Sequence, residues 1–98
     1  MDLFFLDDRA LASEQQMVRE DPGAKQRIEA AKQPLRDAEP GETPHDRIYR
    51  AASRGLTLYA LDIEGGGIIL WRPFPDPALA IAAGIAYVGH DIVDDLPE

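Results

Sequence analysis

The chain has 98 residues, no cysteine, and ten Lys or Arg against eighteen Asp or Glu, for a formal net charge of −8. This length supports one modest core and one domain. The charge argues against direct binding to the phosphates of nucleic acid or to an anionic membrane, and the absence of thiols excludes disulfides and thiolate metal sites.

The chain opens acidic. Asp2, Asp7 and Asp8 surround the short apolar run Leu3-Phe4-Phe5-Leu6. A signal peptide starts basic and has a longer apolar stretch, so the expected location is the cytoplasm or a particle assembled there. Leu3–Leu6 is expected either as a strand pairing with the hairpin or as an anchor that docks elsewhere. Arg9–Glu20 is helix-prone, with Asp7 and Asp8 placed to cap it. Asp21-Pro22-Gly23 breaks that helix, and Ala24–Gln33 is a second helix-prone stretch. Leu11, Met17, Val18 and Ile28 are the sparse apolar positions of the two. Such helices are marginal alone, so this amino-terminal half is expected to be helical or extended, weakly self-sufficient, and docked on a partner.

Pro34–Pro44 is rich in proline and acidic residues and reads as a linker. It divides the chain into an amino-terminal segment, 1–43, and an α+β core, 44–98. Thr43-Pro44-His45-Asp46 predicts the start of an amphipathic helix over 44–54, with a capping hydroxyl, proline at the first position and an acid in the first turn. Gly55 is its stop. Ile48, Ala51 and Ala52 make the apolar face, and Arg47, Arg50 and Arg54 recur at helical spacing on another.

Leu56–Ile63 is rich in β-branched and aromatic residues and predicts a strand. Glu64-Gly65-Gly66-Gly67 is a hairpin loop, and Ile68–Arg72 is the return strand. Pro73, Pro75 and Pro77 end it. Asp76-Pro77 predicts a helix start, and the uncharged run Ala78–Val88 predicts an apolar helix over about 77–89. That run is too short to cross a bilayer. The acids Asp91, Asp94, Asp95 and Glu98 close the chain. Pro44–Arg54 carries three arginines against one aspartate, net +2, and Gly55–Glu98 one arginine against seven acids, net −6. The basic face and the acidic tail are therefore complementary, within one chain or between copies. The predicted fold is a small α+β domain, with the hairpin (56–72) packed on the apolar helix and covered by the 44–54 helix.

The residues offer little chemistry. His45-Asp46 and His90-Asp91 are the only histidines, each before an aspartate. The doublet resembles part of the HD phosphohydrolase pattern, which needs a larger helical domain and further ligands. His45-Asp46-Arg47-Ile48-Tyr49 is similar to the His-Asp-x-x-Tyr helix of phospholipase A2, without its cysteines and glycine-rich calcium loop. His90, Asp91, Asp94 and Asp95 lack the alternation and closing Glu of a calcium loop. The three glycines precede a strand rather than a helix, which a phosphate cradle requires. Ser13, Ser53, Thr43 and Thr57 have no neighbouring His–acid arrangement for nucleophilic catalysis.

The expected function is therefore that of a non-enzymatic assembly subunit, acting through protein–protein contacts in a larger particle such as a bacteriophage, with no cofactor or metal. Its contacts are expected at Trp71, Phe74, Leu79, Ile81, Ile85 and Tyr87, with Arg47, Arg50 and Arg54. The alternative is a small acidic inhibitor occupying the basic nucleic-acid-binding surface of a partner. A metal-dependent hydrolase built on the His-Asp doublets is the third reading.

Overall fold

The computed structural model describes residues 1–51 and 56–90. In chain order these form strand β1 (Asp2–Phe5), helices α1 (Asp8–Glu20) and α2 (Ala24–Asp37), and strands β2 (Arg47–Ala51), β3 (Leu56–Asp62), β4 (Ile68–Phe74) and β5 (Ala82–Gly89). A 3-10 turn at Pro77–Leu79 joins β4 to β5. The strands make one sheet in the order β1-β5-β4-β3-β2. All neighbours are antiparallel except β1 and β5, which are parallel. Both helices lie on one face, and the fold is α+β.

The glycine turn behaves as its composition predicts. Gly65, Gly66 and Gly67 all take positive φ, which side-chain-bearing residues rarely adopt. Ile63 N donates to Gly67 O at 2.9 Å, closing the hairpin of β3 and β4. β4 runs two residues past the expected end at Arg72. Beyond Trp71 it no longer pairs with β3, only with β5, so the missing N–H of Pro73 leaves no ladder bond unmade.

Two predicted helices are strands. Residues 77–89 give a single 3-10 turn and then β5, second from one edge of the sheet. Alanines favour a helix, but an uncharged run this short has no period that separates a buried helix from a strand covered on both faces. Ile81, Ile85, Tyr87 and Val88 are strand-formers, and the sheet supplies both neighbours. His90 accordingly follows a strand rather than ending a helix. Within 44–54, the residues Arg47–Ala51 form β2 beside β3. The acid of the expected cap serves another end: the Asp46 carboxylate accepts from Asp62 N at 2.8 Å, while the Pro44 carbonyl accepts from Trp71 Nε1 at 3.1 Å. The helical spacing that grouped the three arginines is thus absent. Arg47 and Arg50 lie within β2, and Arg54, like the Gly55 stop, lies outside the described residues.

The amino-terminal half is helical and docks on the chain's own sheet. Met17, Ala24, Ile28 and Leu35 are buried against Leu61, Ile63, Ile69, Trp71, Ala83, Ile85 and Val88. β1 is a strand, and its partner is β5 rather than the hairpin strands. Asp7 caps α1 by accepting from Ala10 N at 2.9 Å. α2 continues four residues past Gln33, through Pro34, because Leu35 is drawn fully into the core. The Met1 ammonium then donates to Leu35 O, Arg36 O and Ala38 O, at 3.1, 2.8 and 3.3 Å, satisfying carbonyls at the end of α2. On the opposite face of the sheet Leu58, Ala60, Ile68 and Leu70 form a second buried cluster with Tyr49, Ala86 and Tyr87. Among the described residues no helix is long and apolar enough to cross a membrane.

Candidate interaction surface

Seven of the nine residues expected at a partner contact have described side chains, and these fall into distinct environments. Trp71 and Ile85 are fully buried in the core between helices and sheet. Trp71 continues outward through a row of tilted rings, with Tyr59 at 5.3 Å and His45 a further 4.6 Å beyond. Tyr87 is half-buried on the second face. Arg47 is exposed and pairs with Asp62 at 2.6 Å across β2 and β3. Leu79 and Ile81 are the exposed apolar members of the set, at 61% and 58%.

Their exposure is imposed by a tied backbone. Asp76 caps the 3-10 turn, its carboxylate accepting from Leu79 N at 2.9 Å. Ala80 is fully buried between the two, and its carbonyl accepts from Gly41 N at 3.0 Å. Ile81 N donates to Phe74 O at 2.9 Å. Residues on either side of a buried, anchored position are turned to solvent, so Leu79 and Ile81 stand out from a fixed corner. Phe74, half-buried at the end of β4, packs on Phe4 of β1 with ring centroids 5.2 Å apart. The Arg72 guanidinium lies 5.0 Å over the Phe74 ring. Gly84 beneath makes this possible: a Cβ there would come within 2.6 Å of both Phe74 Cε2 and Leu6 Cδ2. Sequence reasoning selected Phe74, Leu79 and Ile81 but passed over Phe4, 41% exposed, and Ile48, 54% exposed. Both lie on edge strands, and a strand reading of 44–54 was the signal that could have found Ile48.

Other polar groups serve the fold. Lys32, 5% exposed, lies 2.5 Å from Glu14 Oε1 and 3.5 Å from Glu29 Oε1, with its Nζ 5.3 Å over the Phe5 ring. It thereby joins α1, α2 and β1, and nothing in its spacing announced it. Arg27, hydrogen-bonded at 2.6 Å, holds the Asp21 carboxyl below its ordinary range, and His90 lies within electrostatic reach of that carboxyl. Arg36 does the same for Glu29. The two histidines thus have different surroundings, His45 on Tyr59 and His90 towards Asp21. Asp91, Asp94 and Asp95 lie outside the described residues. Among the described residues no three potential ligands gather as a metal site. Grooves of about 460 Å³, lined by Glu14, Val18, Lys25 and Ile28, and about 510 Å³, lined by Arg27, Asp62 and Glu64, present long charged side chains.

Neither a known family, nor a curated protein, nor a solved structure matches this chain.

Proposed function

We propose that the chain is a non-enzymatic assembly subunit that works by protein–protein contact through the corner between β4 and β5. The observation that carries this reading is the pair Leu79 and Ile81, held out from a backbone tied by three hydrogen bonds, next to Phe74 and Phe4. Large apolar side chains on a preorganised backbone lose little conformational entropy when covered, which is how interface anchors contribute most. Covering the exposed part of each side chain, about three-fifths of it, contributes about 1–2 kcal/mol before the costs of association.

The test is molar mass by light scattering as concentration rises. The mass of the chain should climb above 10.8 kDa, and the variant Leu79→Ser/Ile81→Ser should climb less. Because both side chains are exposed, the variant should keep the parent's thermal midpoint. A strict monomer at every concentration, or a variant that associates like the parent, would overturn the reading.

A further inference from the structure

We infer that the Met1 α-amine is an acylation-sensitive latch: the fold uses this nitrogen as a three-donor ammonium, and an acyl group such as acetyl on it releases β1 from the end of α2. The latch is independent of the corner between β4 and β5.

The end of a helix leaves its last carbonyls without amide partners and carries a partial negative charge. Leu35 and Arg36 stand in the last turn of α2, and Ala38 is its cap. The Met1 ammonium donates to the carbonyls of all three, at 3.1, 2.8 and 3.3 Å. An ammonium has three N–H groups, so donors and acceptors match in number. It also places a full positive charge where the helix dipole favours one. Arg36, the basic residue of the last turn, directs its guanidinium to Glu29 instead, at 2.6 Å.

The latch closes over the core. Met1, Leu3 and Phe5 pack on the helix-side cluster, in which Leu35 is fully buried. β1 lies at the sheet edge and pairs with β5 over Asp2–Phe5, with Leu6 N donating to Ile85 O at 2.9 Å just beyond. A strand this short gains little from its ladder, so the tie at its first residue decides whether it stays docked.

Acylation removes what the latch uses. With an acetyl thioester as donor, the nitrogen bonds to the acyl carbon and the C–S bond breaks. The sulfur leaves as a thiol with one proton, and a second proton goes to water. The product is a neutral amide with one N–H. Two of the three carbonyls lose their donor, the cation at the helix end is gone, and the acyl oxygen adds another acceptor among acceptors. The bonds to Leu35 and Ala38 are partly buried, where an unmade hydrogen bond costs most. In the docked amine the lone pair is protonated and the N–H groups are engaged, which shields it from acyl donors. Docking and acylation therefore exclude each other.

The test compares the whole chain bearing a free Met1 amine with the same chain bearing Nα-acetyl-Met1. Acetylation should speed amide hydrogen exchange at Leu6 by about tenfold or more and lower the thermal midpoint. The amide of Ile63, which closes the hairpin loop, should change far less. Lys25→Gln, which removes an exposed positive charge away from the latch, should change neither reading. If the acetylated chain fails to fold, the unmodified chain supplies a second measurement. Under a limiting amount of an activated acetyl ester at neutral pH, its Met1 amine should react about tenfold or more slowly in the folded chain than in urea, while Lys25 reacts at similar rates in both. A Leu6 amide indifferent to acetylation, an acetylated chain with the parental midpoint, or a Met1 amine acylated as fast when folded as in urea would each overturn the latch. So would Lys25→Gln matching the acetylated chain, since a general charge effect would then suffice.

Discussion

Replacing Ile28 with alanine tests whether helices and sheet form one cooperative unit. Ile28 is 1% exposed on α2 and belongs to the cluster that holds Ile69, Trp71 and Ile85 of the sheet. The change deletes three carbons, a transfer loss of about 2.4 kcal/mol at about 0.8 kcal/mol each. The cavity left behind adds to this, and comparable substitutions cost about 2–5 kcal/mol. A chain of this size has a total stability of about 5–15 kcal/mol, so the loss is a substantial part of it. The assay is urea unfolding at one low concentration, followed by far-ultraviolet dichroism for the helices and by fluorescence of Trp71 on β4. Both signals should move together to lower urea, by about 1–2.5 M at a slope of about 2 kcal/mol/M. A helical signal that melts early while Trp71 keeps its parental midpoint would show that α1 and α2 are an independent appendage. A loss below about 1 kcal/mol would refute the burial on which the argument rests.

Two further outcomes follow from the charged groups. Lys32→Ala should cost about 3 kcal/mol, since it strands Glu14 without its partner in a largely enclosed site, whereas Arg36→Ala, which breaks an exposed pair with Glu29, should cost under about 1 kcal/mol; urea midpoints of the two variants compare them. Asp21 and Glu29 both titrate lower in the folded chain than in the unfolded one, through hydrogen bonds from Arg27 and Arg36. Their stabilisation is full above the ordinary carboxylate range and fades as pH falls through that range towards the folded values. The variant Asp21→Asn/Glu29→Gln should therefore lose less stability than the parent on acidification below about pH 5, as thermal midpoints across pH would register.

The legible parts of this sequence were those with local causes. Gly65-Gly66-Gly67 fixes its turn by backbone freedom, and Asp7 caps α1 because its carboxylate reaches Ala10 N. Ala82–Gly89 and Arg47–Ala51 were illegible because their structure is decided by neighbours distant in sequence. Alanine-rich β5 becomes a strand between β1 and β4, and β2 is a strand because β3 offers an edge. In the capping-box pattern at Thr43–Asp46, the Asp46 carboxylate accepts from Asp62 N instead of from a helix amide. The exposure of the candidate residues was half legible. Phe74, Leu79 and Ile81 stand in a segment whose apolar character is obvious, yet only the buried Ala80 between the last two explains why they face outward. Trp71 drew attention as a large aromatic, and its place is the core.

The most direct test of an assembly role is the molar mass of the unaltered chain, by light scattering over a wide concentration range at low and high salt. An apolar corner predicts a mass that rises with concentration and persists in high salt, where exposed ion pairs are screened. A 10.8 kDa monomer at every concentration and salt would contradict it.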